Sequence, residues 1–264
     1  MLRARLLTAA VAIPLLLALI LYPSPWPLTT LVGVVTVLGV GEYATMAFPT
    51  QRGQRVLTIC LGVAVVAGAA GQTAHWFGAA LALAVSTVLV WTLFARADFA
   101  QSLNDTGRSL VGLMYVGYLL PHFIFLRAIP HGPWWVIFVL VIGMAGDTTG
   151  YAVGRAFGRH KLMPRVSPGK TTEGAVGILV ASLVGAAACK LLFLRELGWG
   201  ELTGLALVMA ALGQLGDLSE SVMKRTFGAK ESGWLFPGHG GVLDRVDSLL
   251  FPVTFLYYYI LLFR

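Results

Sequence analysis

Long apolar stretches recur along the whole chain and are separated by short polar connections. A helix that crosses about 30 Å of hydrocarbon needs roughly 20 predominantly apolar residues. Nine stretches are candidates, and their approximate bounds are 6–22, 28–48, 56–71, 76–94, 110–126, 134–151, 175–194, 202–222 and 249–263. The third, sixth and eighth are short or contain acids. The pattern predicts an all-α polytopic membrane protein with about nine transmembrane helices.

The composition agrees with this prediction. Hydrophobic residues make up 57% of the chain and charged residues 12%, and the mean hydropathy is +0.80. A soluble domain carries about twice that charged fraction. Recurrent apolar stretches also exclude a disordered chain. The protein is therefore expected to be integral to a membrane.

The positive charges predict the orientation of the helices. Short connections on the cytosolic side of a membrane protein are enriched in Lys and Arg. All but four of the 19 Lys and Arg residues fall at the N-terminus or in every second connection, and the exceptions are Arg127, Lys190, Arg195 and Arg264. This distribution predicts an N-in, C-out topology. The net charge of +7 then reflects these loops, so no nucleic-acid partner is expected.

The two halves of the chain differ in polarity. Residues 1–133 are chemically quiet and are interpreted as transmembrane scaffold helices. Residues 134–264 are interpreted as a catalytic region with cytosolic loops at 155–174 and 223–248. Glu42 is the exception in the first half, and it is interpreted as an interfacial acid that reaches cytosolic water, with a catalytic role as the alternative.

The first polar cluster lies in the sixth apolar stretch. Its members recur at i, i+4, i+7 and i+11, and they are Gly143, Asp147, Gly150 and Gly154. On a helix this spacing makes one face of small residues that contains a carboxylate. Because a lipid-facing acid costs at least about 2.5 kcal/mol, Asp147 should face a polar cavity or a partner helix. A simple hydrogen bond between helices is the alternative.

The second cluster precedes the seventh stretch and contains Ser167-Pro-Gly-Lys170-Thr171-Thr-Glu173-Gly. Gly-Lys-Thr is part of the P-loop motif, but that motif needs glycine at position 164, which is proline here. Hydroxyl groups, a lysine and free N–H groups at a helix start suit phosphate. A basic cytosolic loop without a ligand is the alternative interpretation.

The third cluster begins in the eighth stretch. Four polar residues lie at i, i+3, i+4 and i+7, namely Asp217, Glu220, Ser221 and Lys224. On a helix they form one stripe that could hold a divalent cation beside a phosphate, or form an ion-pair network without a ligand. The turn 237–241 follows and contains His239, Gly240 and Gly241. Asp244, Arg245 and Asp247 come next, and the two acids can face one way if this segment is helical.

These segments resemble the phosphatidate cytidylyltransferase, or CDP-diacylglycerol synthase, family. The run from Ser221 to Glu231, followed by Pro-Gly-His239-Gly-Gly-Val-Leu-Asp244-Arg245-Val-Asp247, is similar to the family signature. The segments around Asp147 and 167–174 resemble two further family motifs in the same order. Two positions depart from the family pattern, because Glu231 replaces the usual Asp and Gly169 replaces the usual basic residue.

The resemblance implies an enzyme that converts CTP and phosphatidate to CDP-diacylglycerol and pyrophosphate with Mg²⁺, in phospholipid biosynthesis. It also implies a protein of the cell (inner) membrane with a cytosolic active site, in contact with membrane lipids. A homodimer and a second metal ion are compatible with the resemblance. Neutralising and aligning two anions should dominate the catalysis. A CDP-alcohol phosphotransferase and a transporter are the alternatives, but the D-G-x2-A-R pattern of the former does not occur here.

The site residues expected from the motifs fall into three groups. Catalytic roles are expected for Asp217, Asp244, Lys224 and Arg225. Metal binding is expected for Asp217 and Asp244, with Asp247 as an additional or outer ligand. Substrate binding is expected for Asp147, Ser167, Lys170, Thr171, Glu173, Ser221, His239, Gly240, Gly241 and Arg245.

Overall fold

The protein is a bundle of helices. The structure is a computed structural model that describes residues 2–95, 98–235 and 240–264, with side chains for 12–94, 98–235 and 240–264. Its α-helices are α1 (Leu2–Leu21), α2 (Trp26–Ala47), α3 (Arg52–Ala70), α4 (Ala74–Ala95), α5 (Phe99–Gly112), α6 (His122–Ala128), α7 (Gly132–Phe157), α8 (Thr172–Leu192), α9 (Trp199–Thr226) and α10 (Leu243–Phe263). A π-helical segment, Leu113–Tyr118, follows α5 directly.

The expected all-α membrane architecture is confirmed. Within the described residues, eight helical segments are long and apolar enough to cross a membrane, and one of them, Phe99–Ala128, joins α5, the π-helical segment and α6. The helix α1, of 20 residues, supplies a further apolar helix. Each of the predicted stretches overlaps one of these segments.

The helices extend further into the polar segments than the hydropathy predicts. Both ends of the predicted loop 155–174 are helical, since α7 ends at Phe157 and α8 begins at Thr172. The same holds for the predicted loop 223–248, since α9 ends at Thr226 and α10 begins at Leu243. Polar residues continue a helix because its backbone hydrogen bonds form within the segment, whatever the side chains are. As a result Lys224, Asp244 and Asp247 stand on helices and not in loops.

A β-hairpin occupies the middle of the first loop. Strand β1 (Lys161–Met163) pairs antiparallel with β2 (Ser167–Thr171). Pro164 lies at the second position of the turn, where its fixed φ is favourable, and the Val166 N–H donates to the Met163 carbonyl over 3.1 Å. The hairpin ends directly at the start of α8, so it carries Lys170 to the end of the helix bundle.

The most deeply buried span contains the π-helical segment. Of the 18 residues that form the apolar stretch of Phe99–Ala128, 72% are buried inside the protein. Tyr115, in the π-helical segment, donates its hydroxyl proton to the Gly216 carbonyl of α9 over 2.8 Å. Short π-helical segments are frequent at functional sites. This one joins the N-terminal half to α9 at the residue before Asp217.

Glycines allow the helices of the C-terminal half to pack closely. A Cβ added to Gly150 of α7 would lie 2.6 Å from Ile178 of α8. A Cβ added to Gly216 of α9 would lie 2.5 Å from the Asp247 carbonyl oxygen of α10. Close backbone contact between helices is typical of membrane bundles, where small residues form the interfaces. Here it brings the polar faces of α9 and α10 together.

The substitution Gly216→Ala tests this packing. The added methyl group would meet backbone that cannot move aside, so we expect a loss of about 1–3 kcal/mol of stability. Gly204→Ala on the same helix is the matched control, because nothing lies within 4 Å of its added Cβ. Thermal unfolding in detergent should therefore show a lower midpoint for Gly216→Ala only, and equal midpoints would contradict the packing argument.

Candidate functional site

The three polar clusters of the sequence meet at one end of the C-terminal helices. Asp147 of α7 accepts a hydrogen bond from Ser248 of α10 over 2.9 Å. Lys170 of β2 forms an ion pair with Asp217 of α9, with Nζ 2.7 Å from Oδ2. The site is thus assembled from segments that are as much as 101 residues apart in the chain.

The polar stripe on α9 forms as its spacing predicts. Ser221 donates to Asp217 over 3.4 Å, and Lys224 forms an ion pair with Glu220 one helical turn away. The Glu220 side chain has 0% exposure, and the Lys224 side chain is nearly buried. An isolated buried charge is very unfavourable, so each of these two groups needs the other.

Asp244 occupies the first turn of α10 and has both carboxylate oxygens engaged. Its Oδ2 accepts from the Ser232 N–H and the Gly241 N–H, each over 2.8 Å, and lies 2.7 Å from the Ser232 hydroxyl. Its Oδ1 pairs with Lys224. Lys224 therefore joins an acid of α9 to an acid of α10, which is the ion-pair network that the sequence left open.

Asp247 lies one turn further along α10 in strongly negative surroundings. The residue is buried, and its carboxylate accepts the Ser248 N–H over 2.7 Å. The negative charges of Asp217, Glu220 and Asp147 all act on it. The Asp147–Ser248 hydrogen bond is the bond between two helices that the sequence offered as the alternative for Asp147. Together with Asp244, the acids Asp147, Asp217, Glu220 and Asp247 form what we call the acidic cluster.

Several expected binding residues have structural partners. Thr171 caps α8, because its hydroxyl oxygen accepts the Gly174 N–H over 3.1 Å. Glu173 lies 2.7 Å from Nδ1 of His160, at the start of the hairpin. Arg225 donates to the carbonyl groups of Val166 and Ala229. These three residues hold the hairpin and the end of α9 in place, and Arg225 points towards the hairpin rather than towards the acids.

The glycine turn before α10 is only partly described. His239 lies outside the described residues. Gly240 has a φ of +77°, a conformation that favours glycine, and an added Cβ would lie 2.5 Å from Asp244 Oδ2. Ser167 is half-buried in β2, and Arg245 is exposed in the first turn of α10, where its positive charge acts on Asp147. Both basic and acidic groups therefore border the turn.

The acidic cluster suits a hard cation. Mg²⁺ prefers a few carboxylate oxygens and completes its shell with water and substrate phosphate. Within the described ranges, no group of three His, Cys, Asp or Glu side chains is arranged to hold a metal ion. The donor chemistry of Asp217, Asp244 and Asp247 thus fits an ion that also takes ligands from a phosphate, and does not fit a metal enclosed by protein alone.

Sequence reasoning gave Glu42 a catalytic role only as the alternative interpretation, and it gave Ser232 no role. Glu42 of α2 accepts the Val242 N–H and the Leu243 N–H at the start of α10, each over 2.9 Å. It therefore does not simply reach cytosolic water, as the sequence suggested. One signal was present in the sequence, since Glu42 is the only acid before Asp98.

Comparison with known proteins agrees with the resemblance of the motifs. A sequence model of the cytidylyltransferase family matches residues 3–263. The phosphatidate cytidylyltransferase of Bacillus subtilis is 36% identical over 181 residues, which are 68% of this chain and 66% of the relative. That of Brucella abortus is 43% identical over 155 residues, 58% of this chain and 57% of the relative.

A third relative, the phosphatidate cytidylyltransferase of Staphylococcus aureus, is 38% identical over 169 residues, 64% of each chain. The alignments thus span between 57% and 66% of the length of these relatives. The family match, in contrast, covers nearly the whole chain. The chain belongs to the cytidylyltransferase family.

Proposed function

We propose that this protein transfers the cytidylyl group of CTP to phosphatidate, giving CDP-diacylglycerol and pyrophosphate. The observation that carries the proposal is the convergence of Asp147, Lys170 and the acids and lysine of α9 and α10 at one end of the membrane helices. The names of the relatives support the choice of CTP and phosphatidate.

The reaction joins two anions, so the protein has to reduce their repulsion. A phosphate oxygen of phosphatidate attacks the α-phosphorus of CTP, and pyrophosphate leaves with the electrons of the broken P–O bond. The attacking phosphate is already ionised, so no general base is required. Lys170 can turn from Asp217 to a phosphate oxygen, and Lys224 can exchange Asp244 for a phosphate oxygen while it keeps Glu220, because a lysine ammonium has three donors on a flexible stem.

A Mg²⁺ ion fits the same arrangement. We infer that Asp217 and Asp244 would hold it together with substrate phosphate oxygens, with Asp247 as an additional or outer ligand. When bound, the ion would offset negative charge on the phosphates. Asp244 Oδ1 becomes available to a metal when Lys224 moves to a phosphate, since Oδ2 remains held by Ser232 and Gly241.

The location of the site suits one soluble and one membrane-bound substrate. Asp217 lies within the last ten residues of α9, Asp244 and Asp247 lie in the first turns of α10, and the largely exposed hairpin contacts Asp217 through Lys170, so CTP can arrive from water. The acyl chains of phosphatidate can stay in the leaflet between helices. We infer that this end faces the cytosol of the cell (inner) membrane, because the basic residues concentrate there.

The deciding assay measures pyrophosphate release by purified protein in detergent with CTP, phosphatidate and Mg²⁺. We expect CDP-diacylglycerol to form, and the rate to fall about 100-fold or more in Asp217→Asn and in Asp244→Asn. Glu196→Gln is the control, because Glu196 is an exposed acid between α8 and α9. No product from folded parent protein, or full activity in both Asn variants, would contradict the proposal.

The orientation can be tested by labelling single cysteines in intact cells. In a Cys60→Ala, Cys189→Ala background, a membrane-impermeant maleimide should label Glu196→Cys without permeabilisation. Glu231→Cys, which lies between α9 and α10, should react only after the membrane is opened. Glu196 and Glu231 are both exposed. The reverse pattern would show that the acidic cluster faces away from the cytosol.

Gly169 stands where the family pattern has a basic residue, and this difference gives a further test of phosphate binding. No atom lies within 4 Å of an added Cβ at this exposed residue, so Gly169→Lys can be accommodated. The new ammonium lies beside Lys170 and should lower the KM for CTP roughly two- to fivefold, since an exposed ion pair contributes about 0.5–1 kcal/mol. Gly169→Gln is the uncharged control. An equal change in both variants would argue against a phosphate contact here.

A further inference from the structure

Glu42 makes an unusual contact between the two halves of the protein. It lies near the end of α2, and its Oε1 and Oε2 accept the N–H groups of Val242 and Leu243. These groups begin α10, where backbone N–H groups lack partners within the helix. The N-cap residue Val242 has no capping side chain of its own. A carboxylate from another helix therefore caps α10, at the helix end that favours negative charge.

The surroundings are shaped for this carboxylate. A Cβ added to Gly233 would lie 2.4 Å from Glu42 Oε1, and one added to Gly241 would lie 2.3 Å from Oε2. Only glycine allows the backbone to approach the carboxylate so closely on both sides. Gly233 and Gly241 therefore leave the space that the Glu42 carboxylate occupies.

Ser232 connects Glu42 to the acid that we place in the reaction. Its hydroxyl lies 3.2 Å from Glu42 Oε2 and 2.7 Å from Asp244 Oδ2. A hydroxyl has one proton, so it donates to one carboxylate at a time, and the shorter distance favours Asp244. Ser232 also donates its backbone N–H to Asp244 over 2.8 Å. The position of Asp244 thus depends on the same turn that Glu42 holds.

We propose that Glu42 is a positioning residue for the cytidylyl-transfer site. It anchors the backbone of Val242 and Leu243 at the start of α10, directly before Asp244, and so sets the position of Asp244 and of the Lys224 ammonium that pairs with it. Its catalytic consequence rests on the proposed function. A residue of the N-terminal half, far from the signature segments in the chain, then controls the geometry of the reacting groups without contacting substrate.

The variant Glu42→Gln tests the role with little change in shape. An amide keeps one acceptor oxygen but directs NH2 donors at the other backbone N–H, so one of the two capping bonds is lost. We expect kcat to fall about 10- to 100-fold, as for other residues that orient reacting groups, with little change in the KM for CTP. Glu42→Asp retains both acceptor oxygens and should recover part of the rate.

Glu201→Gln is the matched control. Glu201 also links a neighbouring helix to α10, but at the opposite end, where it accepts from Tyr259 over 2.9 Å and from Arg264 over 2.8 Å. Loss of this contact should lower the unfolding temperature and leave kcat per folded molecule unchanged. A fall in kcat shared by both variants would overturn the positioning role, since it would reflect general loosening of α10.

Hydrogen exchange measured by mass spectrometry provides a readout that does not need activity. Peptides that cover 240–246 should exchange faster in Glu42→Gln than in the parent or in Glu201→Gln. Unchanged exchange, or faster exchange with kcat within about twofold of the parent, would overturn the proposal. If the folded parent makes no CDP-diacylglycerol, the proposed function fails, and the exchange comparison alone then decides whether Glu42 positions the turn.

Discussion

A charged side chain within the helix bundle needs an opposite charge or hydrogen-bond donors, and the architecture of the C-terminal half depends on this constraint. An acid that faces lipid costs at least about 2.5 kcal/mol, and an unpaired buried ion costs several kcal/mol. Lys224 meets the constraint for Glu220 of α9 and Asp244 of α10, while Lys170 meets it for Asp217. These ion pairs keep the ammonium groups of Lys170 and Lys224 beside Asp217 and Asp244, where the charge of the substrate phosphates would have to be neutralised.

The acidic groups come together because the helices that carry them are in close contact. Gly213 and Gly216 of α9 lie against backbone oxygens of Ser248 and Asp247. Packing of this kind stabilises helix association where lipid provides no hydrophobic driving force between helices. It also brings Asp217 close enough for its negative charge to act on Asp247, which creates the negative surroundings that a divalent cation would relieve.

The N-terminal half has a larger part in the site than its quiet sequence indicates. Tyr115 holds the Gly216 carbonyl just before Asp217, and Glu42 holds the N–H groups just before Asp244. Both contacts are made to backbone next to a carboxylate that we propose to take part in the reaction. Contacts to the adjacent backbone can orient a carboxylate without using its own oxygen atoms, as supporting hydrogen bonds do in metal sites.

The sequence by itself determined the fold class, because hydropathy and helix length follow directly from residue type. It also determined the α9 stripe of Asp217, Glu220, Ser221 and Lys224, since the spacing within one helix is a local property. Only the tertiary structure decided that Lys224 reaches Asp244, that residues 161–171 form a hairpin, and that Glu42 caps α10. The contacts of Glu42 join residues 200 and 201 positions apart, and no local pattern in the chain specifies which backbone groups a distant carboxylate will meet.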